Sequence, residues 1–284
     1  MNETELMAYF EDRRGQVDQA LDTLLAMPSS GDDPLRLREG MRYAVLGGGK
    51  RMRPLLTIAA CEAVGGSASQ AMPGACAVEL VHAYSLVHDD LPAMDDDAER
   101  RGKPTVHVAF GQPAAILVGD ALLTLAFGAF AGAGAGGGRP FEAMLELATR
   151  SGAEGMVGGQ AVDLHDGQDI RDLERLEHLH ALKTGGLYQA GGAMGALLGG
   201  ADDETVERMR RFGLAFGIAF QHADDVLDDD QPALRDAAIA RVGTLVSECM
   251  DLAEGLGPAA DPLRGIARWV GDRAKKAMAG VITE

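Results

Sequence analysis

Two clusters of aspartates constrain how this chain can fold, because each ends a long, mostly apolar stretch of the kind that forms a buried helix. The clusters comprise residues 89, 90 and 95–97 in SLVHDDLPAMDDD and residues 224, 225 and 228–230 in FQHADDVLDDD. Carboxylates four residues apart, such as Asp224 and Asp228, share a helix face and repel each other. Ionised groups beside apolar walls are costly unless they are paired or bind a metal ion. We therefore expect facing helices that hold divalent cations between the clusters, and such cations usually serve phosphate or diphosphate substrates.

The rest of the chain is predicted to be helical. Alternating strand patterns and Asn-Gly hairpin signals are nearly absent from the sequence, whereas apolar residues recur with helical spacing. The predicted helices cover residues 5–27, 34–46, 54–64, 71–88, 113–130, 141–157, 172–182, 186–198, 203–228, 232–255 and 262–278. Glycine-rich breaks separate them, and no long polar linker divides the chain. The sequence therefore predicts one all-α domain over residues 1–284, a bundle of about ten or more helices around a central cavity.

Charge and cysteine usage narrow the expected partners and compartment. The 43 acidic residues outnumber the 26 basic ones, giving a net charge of −17, so the chain lacks the basic face typical of nucleic-acid binders. The three cysteines, Cys61, Cys76 and Cys249, lie in apolar helical stretches, which predicts reduced core residues of a cytoplasmic protein. The opening MNETELMAYFEDRR lacks the basic-then-apolar order of a signal peptide. Residues 121–138 are uncharged but rich in Ala and Gly, which favours a buried helix and a glycine loop over a membrane span.

A glycine turn at residues 47–54, GGGKRMRP, brings three cations to the start of a helix that Pro54 is predicted to open. Free backbone N–H groups and the helix dipole favour an anion there. Lys50, Arg51 and Arg53 would add positive charge, which suits a diphosphate. The alternative is an exposed turn with solvated basic side chains.

A polar stripe runs along the predicted helix before the first cluster. Glu79, His82, Ser85 and Asp89 share one face by three- and four-residue spacing, which indicates a cavity wall, although a lone histidine is often a hydrogen-bonded core residue. Pro92 then interrupts the helix, so DDLPAMD must bulge to bring Asp95 back toward Asp89.

Two further segments carry groups suited to phosphate. Arg100 and Arg101 follow the first cluster, and they can neutralise the aspartates or bind phosphate oxygens in bidentate fashion. Lys183 and Thr184 lie at a predicted helix break, where they can hold phosphate. Small residues at positions 155, 158 and 159 predict close helix packing.

With these motifs assembled, the chain resembles the trans-isoprenyl diphosphate synthases, and more closely the bacterial short-chain type that makes farnesyl or geranylgeranyl diphosphate. The similarity runs from about residue 40 to residue 228. Its motifs are GGKRMRP (48–54), DDLPAMD (89–95), RRG (100–102), GQAVD (159–163), KTG (183–185) and FQHADDVLD (220–228). The resemblance implies head-to-tail transfer of a dimethylallyl or geranyl group to isopentenyl diphosphate. It also implies a homodimer, with the apolar residues 113–130 as a candidate interface.

The resemblance also implies a role for each matching residue. Three Mg²⁺ ions per active site would be ligated by Asp89, Asp95 and Asp224, with Asp90 and Asp228 assisting through water or charge. The diphosphate of isopentenyl diphosphate would be bound by Lys50, Arg53, His82 and Arg101. The allylic diphosphate would be held by the ions together with Arg100, Lys183, Thr184 and Gln221.

Product length would depend on Tyr84, with Ser85 beside it. Tyr84 precedes Asp89 by five residues, about 7.5 Å along a helix. In this family a bulky aromatic residue at that place usually stops growth at fifteen carbons, so the expected product is farnesyl diphosphate. Geranylgeranyl diphosphate is the alternative product.

The chain departs from the family pattern after Asp228. A loop that usually carries a lysine is missing, and no lysine follows until Lys275 and Lys276. Arg235 or Arg241 could substitute, or both could form surface ion pairs. This departure leaves open a weakly active regulatory subunit, a class I terpene cyclase and an acidic metal-buffering protein. The second motif DDVLD and the basic turn GGKRMRP favour chain elongation over cyclisation.

Overall fold

The structure is a computed structural model that describes residues 1–27, 31–131, 133, 138–166 and 170–278. These residues are almost entirely helical, which confirms the predicted all-α fold. The α-helices are α1 Glu3–Leu24, α2 Leu37–Leu46, α3 Met52–Ala63, α4 Ala68–Asp89, α5 Val106–Phe110, α6 Gln112–Gly128, α7 Pro140–Ser151, α8 Met156–Asp166, α9 Leu173–His180, α10 Gly186–Leu198, α11 Asp203–Asp228, α12 Arg235–Leu252 and α13 Asp261–Met278. A π-helical turn, Ala181–Gly185, joins α9 to α10, and a short hairpin pairs β1 Glu99–Arg100 with β2 Lys103–Pro104.

Helix α10 lies at the centre and packs against α3, α4, α7 and α11. Its sequence permits this because small residues let neighbouring backbones approach closely. A Cβ atom on Gly192 would lie 2.2 Å from the carbonyl oxygen of Met209 in α11, and one on Gly195 would lie 2.3 Å from that of Thr57 in α3. The helix is buried along nearly its whole length, so it is the central helix of the bundle, and the flanking helices pack around it.

Helices α4 and α11 carry the two aspartate clusters. Ser67 caps α4 with a capping box, and Asp202 caps α11 by accepting a hydrogen bond from the Thr205 N–H group. Each helix presents an apolar face to α10 and ends in its acidic cluster. The predicted helices 71–88 and 203–228 are therefore confirmed, with α4 starting three residues earlier.

Two predicted boundaries are wrong. The helix predicted at residues 141–157 is interrupted, because α7 ends at Ser151 and α8 begins at Met156. Gly155 makes the intervening turn possible, since a Cβ there would lie 1.9 Å from the Arg150 carbonyl oxygen. Pro54 does not open α3, which begins at Met52 after Arg51 in left-handed conformation.

The described helices include none that is long and apolar enough to cross a membrane. Helix α6 covers residues 121–128 of the uncharged stretch and packs against α4, α2 and α5, with Val118, Leu122 and Ala126 among its buried residues. Residues 132 and 134–137 of the predicted glycine loop lie outside the described part of the chain.

Candidate active site

The first aspartate cluster forms a bulge at the end of α4. The Asp95 N–H group donates a hydrogen bond to the Asp89 carbonyl oxygen at 2.8 Å, so the chain turns back on itself as predicted. Asp96 takes a positive φ of 55° in this turn. The bulge places Asp95 near Asp89, whereas Asp90 turns inward and is buried against Arg100, with 2.6 Å between the carboxylate and the guanidinium.

Asp89 is surrounded by other carboxylates whose negative charge the nearby cations do not fully balance. Burial raises its pKa to about 6, and the neighbouring Asp95 and Asp90 carboxylates add to the rise while Lys183 and Arg100 oppose it. Burial likewise raises the pKa of Asp95. Two nearby carboxylates whose negative charge is incompletely balanced are a suitable donor set for a hard divalent cation such as Mg²⁺.

A lysine–threonine pair lies across from this cluster on the π-helical turn. The Lys183 ammonium donates to Asp163 of α8 at 2.5 Å, and Thr184 Oγ1 donates to the Gln221 amide oxygen at 2.8 Å. Gln221 in turn donates to Asp225 at 2.8 Å. The π-helical turn thus brings both predicted phosphate-binding residues to the wall between α8 and α11, and such turns are frequent at functional sites.

The second cluster places Asp224 beside cations from distant parts of the chain. Arg273 of α13 pairs with the Asp224 carboxylate, and its guanidinium lies over the rings of Phe220 and Trp269. Lys50 is also close: burial and the Arg273 charge lower its pKa, while Asp224 and Asp228 oppose the change. Burial raises the pKa of Asp224 although Arg273 works against it. Binding of a metal ion by Asp224 therefore requires competition with Arg273.

Two adjoining cavities connect the clusters. The first, here called the aspartate cavity, has a volume of about 460 Å³ and is lined by Asp89, Lys183 and Thr184 together with apolar side chains. The second, the basic cavity, has a volume of about 720 Å³ and contains Asp224. Both share the same four wall residues, Arg53, His82, Leu86 and Gln221. Asp89 and Asp224 therefore line one continuous region rather than separate surfaces.

The basic cavity collects all four predicted isopentenyl diphosphate contacts, Lys50, Arg53, His82 and Arg101. Arg100, predicted for the allylic diphosphate, lines it as well. Burial and the surrounding arginines hold the pKa of His82 well below its ordinary value, so the imidazole is neutral. Arg53 lies 4.7 Å from the centre of the Tyr188 ring. Within the described residues, the Arg53 Nε and the buried Tyr188 hydroxyl have no hydrogen-bond partner.

The aspartate cavity continues into an apolar region below Asp89. Tyr84 and Ser85 line it, with Met156, Val157 and Leu164 of α8 opposite. The Tyr84 ring packs edge-on against His88 at 5.9 Å, and the Ser85 hydroxyl donates to the His82 carbonyl oxygen at 2.9 Å. Tyr84 is therefore held in the cavity wall, as the sequence predicts.

Several residues differ from their predicted settings. Arg51 borders the basic cavity, but its guanidinium is buried and already paired with the carboxylates of Glu79 at 2.7 Å and Asp18 at 2.8 Å, so it anchors the glycine turn. Arg235 and Arg241 pair with Asp229 and Glu177, which agrees with the ion-pair alternative for both. Asp95 and Asp228 are exposed at the rim.

Sequence reasoning missed Arg273 and the position of the Gln160 side chain in the cavity. Arg273 lies far from the motifs in the chain, and nothing in its local sequence distinguishes it. Gln160 belongs to the GQAVD motif, which was a usable signal. Its amide lines the aspartate cavity, and both of its polar atoms are buried without a hydrogen-bond partner in the described structure. Buried amides normally have hydrogen-bond partners. Because the Gln160 amide has none among the described residues, it is available to a polar ligand in the cavity.

Comparison with known proteins gives a consistent result. The sequence model of a family described as polyprenyl synthetase matches residues 34–233. The heterodimeric geranylgeranyl pyrophosphate synthase large subunit 1 of Arabidopsis thaliana is 47% identical over 79% of this chain and 61% of that protein. A geranylfarnesyl diphosphate synthase of Leucosceptrum canum is 46% identical over 79% of this chain and 62% of its own length. This chain thus spans less than two thirds of the length of these curated relatives.

Solved structures show the same fold along nearly the whole chain. The apo structure of an FPP/GFPP synthase from Zymomonas mobilis superposes with a TM-score of 0.85 and 37% identity, covering 94% of this chain and 98% of that one. A geranyltransferase from Legionella pneumophila gives a TM-score of 0.83 with 29% identity, covering 96% and 99% of the two chains.

Proposed function

This chain belongs to the polyprenyl synthetase family, and on that premise we propose that it transfers an allylic prenyl group head-to-tail onto isopentenyl diphosphate. The observation that carries the proposal is the continuity of the two cavities. One end collects cations around Asp224, and the other leads from Asp89 into an apolar pocket. A prenyl diphosphate has a matching charged end and apolar end, because its diphosphate suits the cations and its hydrocarbon chain suits the apolar pocket.

Mg²⁺ is the proposed cofactor, held by Asp89, Asp95 and Asp224, and when bound it neutralises the negative charge that develops on the leaving diphosphate. We keep the family's three ions as part of this proposal. Lys183, Thr184, Gln221 and Arg100 would hold the allylic diphosphate. Lys50, Arg53, His82 and Arg101 would hold the diphosphate of the second substrate.

The reaction breaks the allylic C–O bond, and its electron pair leaves with the diphosphate. The isopentenyl double bond then supplies the electrons for the new C–C bond. A proton leaves the resulting cation, with the departed diphosphate as its acceptor. The apolar wall formed by Tyr84, Met156 and Val157 excludes water, which would otherwise quench the cation.

For the product we propose geranylgeranyl diphosphate, the alternative of the sequence analysis, because the curated relatives are named as geranylgeranyl and geranylfarnesyl synthases. Farnesyl diphosphate is the second candidate, favoured by one observation of this chain. Tyr84 stands in the cavity wall one helical turn and a half before Asp89, where its ring shortens the space for a growing chain.

The chain is further proposed to act as a homodimer in a reducing compartment such as the cytoplasm. The three cysteines are free and buried, as expected there. A heterodimer is the competing assembly, since one relative is named as a subunit of a heterodimeric synthase.

A product assay tests the proposal. The protein is incubated with Mg²⁺, isopentenyl diphosphate and dimethylallyl, geranyl or farnesyl diphosphate, and the dephosphorylated alcohols are sized by chromatography. An alcohol longer than the primer supports prenyl transfer, and extension of the farnesyl primer distinguishes geranylgeranyl from farnesyl synthesis. A released hydrocarbon would identify a cyclase instead. Absence of turnover with all three primers would refute the proposed activity and favour a regulatory subunit.

A further inference from the structure

A buried cluster of two histidines and one aspartate lies behind the second aspartate motif, outside the two substrate cavities. His180 ends α9, and His222 and Asp225 lie one turn apart on α11. The His180 Nε2 is 3.0 Å from Asp225 Oδ2, and the two imidazole rings meet edge-to-face at 4.7 Å. One donor atom from each of the three side chains lies within 4.8 Å of the others.

The cluster has more buried polar atoms than partners. Among the described residues, His180 Nδ1 and both ring nitrogens of His222 have no hydrogen-bond partner. The His222 side chain is fully buried, and the nearest carboxylate oxygen, Glu177 Oε1, is 3.6 Å from Nε2, which is too long for a hydrogen bond. Buried imidazole nitrogens normally have a hydrogen-bond partner or a metal ion. The three unpaired nitrogens therefore indicate that a ligand binds here.

We propose that His180, His222 and Asp225 bind a first-row transition-metal ion, with Zn²⁺ as the best match. Two imidazole nitrogens and one carboxylate oxygen are the ligands that Zn²⁺ takes at about 2.0 to 2.2 Å. Mg²⁺ prefers oxygen ligands, so a site rich in nitrogen discriminates against the ion proposed for the substrate cavities.

The surroundings supply the other parts of a metal site. His180 and Asp225 line a further cavity of about 300 Å³, which adjoins the aspartate cavity at Lys183, Thr184 and Gln221. It gives an entry path and room for a water molecule as fourth ligand. Glu177 stands beside His222 and pairs with Arg241 at 2.7 Å. It is therefore placed to orient the His222 ring, as outer carboxylates do for metal-bound histidines.

Such an ion would tie α9 to α11 at a sensitive point. His180 directly precedes the π-helical turn that carries Lys183 and Thr184, and Asp225 follows Asp224. The metal would therefore hold two walls of the substrate cavities together. This role is structural and does not depend on prenyl transfer, so each proposal can fail without the other.

The test is Zn²⁺ binding by the full chain after treatment with a chelator. Calorimetric titration is performed in saturating Mg²⁺, which occupies carboxylate sites, and Co²⁺ replaces Zn²⁺ for absorption spectra. We expect one tight Zn²⁺ per chain and the intense visible bands of tetrahedral Co²⁺. His180→Gln and His222→Gln should each weaken Zn²⁺ binding more than about 100-fold, since loss of outer-shell partners alone costs 10- to 100-fold.

The matched control is His178→Gln, because His178 lies on the same helix but is exposed. It should bind Zn²⁺ like the unaltered chain. Circular dichroism establishes that each variant keeps its helices. Equal Zn²⁺ affinity in all variants would overturn the assignment, as would an unaltered chain that binds no Zn²⁺ and gives no tetrahedral Co²⁺ bands. These last two readouts need no variant, so a misfolded substitution leaves the proposal decidable.

Discussion

At the residue scale, Asp224 forms its ion pair with an arginine from the last helix. The family resemblance predicts a lysine shortly after the second motif, and the sequence has none between Asp228 and Lys275. Arg235 and Arg241, which follow the motif in sequence, are engaged with Asp229 and Glu177. Arg273 of α13 instead reaches Asp224 across the fold. A positive charge thus lies next to the carboxylate, and it comes from a segment outside the predicted motifs.

Arg273 should compete with Mg²⁺ for Asp224. We expect Arg273→Gln to tighten Mg²⁺ binding without substrate by about fivefold, because an ion pair of about 1 kcal/mol no longer has to be broken. Calorimetric titration with Mg²⁺ measures the change. Arg268→Gln, on the exposed side of the same helix, serves as the control and should have no effect. Weaker Mg²⁺ binding in Arg273→Gln would contradict this competition.

Tyr84 should limit product length through its bulk. Tyr84→Ala removes the ring from the wall of the aspartate cavity, so we expect products at least one isoprene unit longer than those of the unaltered chain. Chromatography of the dephosphorylated alcohols gives the length. Tyr43→Ala is the control, because Tyr43 packs against Phe110 and bonds to Pro104 away from this cavity. An unchanged product distribution for Tyr84→Ala would refute the role.

At the scale of elements, the position of the site depends on how closely α10 and α11 approach. Gly192 of α10 and Gly213 of α11 each face a backbone carbonyl of the other helix, and a Cβ on either would lie 2.2 Å from that oxygen. Thr184, on the π-helical turn that leads into α10, donates a hydrogen bond to Gln221 of α11. Separation of these backbones would therefore displace the phosphate-binding residues.

Gly192→Ala should destabilise the fold by about 2 kcal/mol or more, because overpacking against fixed backbone typically costs 1 to 3 kcal/mol. For a chain of this size the melting temperature should fall by roughly 5 °C. Gly15→Ala in α1 provides the opposite case, since nothing lies within 4 Å of the added Cβ. It should stabilise the chain by about 0.5 to 1 kcal/mol. Thermal unfolding followed by circular dichroism measures both, and equal shifts would exclude the close-packing explanation.

At the scale of the whole molecule, an apolar surface remains uncovered on α5 and α6. Ile116 and Leu117 are 47% and 43% exposed, and Val108 of the adjoining α5 is 52% exposed. Clustered exposed apolar side chains commonly mark protein interfaces. Ile116 and Leu117 belong to residues 113–130, the candidate dimer interface predicted from the sequence. A second copy of this chain is the occupant that we propose.

The double substitution Ile116→Asp with Leu117→Asp should convert a dimer into a monomer, because it places charges in the centre of an apolar contact. Light scattering after size-exclusion chromatography should show the mass falling by half. Met7→Asp, at a 40% exposed position on α1, is the matched control and should leave the dimer intact. A monomeric unaltered chain would contradict the proposed assembly.

The helices and the motif residues could be predicted from local sequence, because both depend on short-range rules. Apolar spacing gave α4, α10 and α11, and Pro92 indicated the bulge that brings Asp95 toward Asp89. The break between α7 and α8 was not predicted, because apolar spacing continues across the turn. The close approach of Gly155 to the Arg150 carbonyl oxygen, which the turn requires, cannot be read from residue types alone.

Sequence alone thus determined the all-α class and the set of aspartates and cations, because residue type and helical period are properties of neighbouring positions. Tertiary structure decided which of these groups meet. It buried Arg51 against Glu79, brought Arg273 to Asp224, and assembled His180 with His222 and Asp225. Those pairings join residues that are far apart in the chain, and they arise from how whole helices pack, which no local pattern encodes.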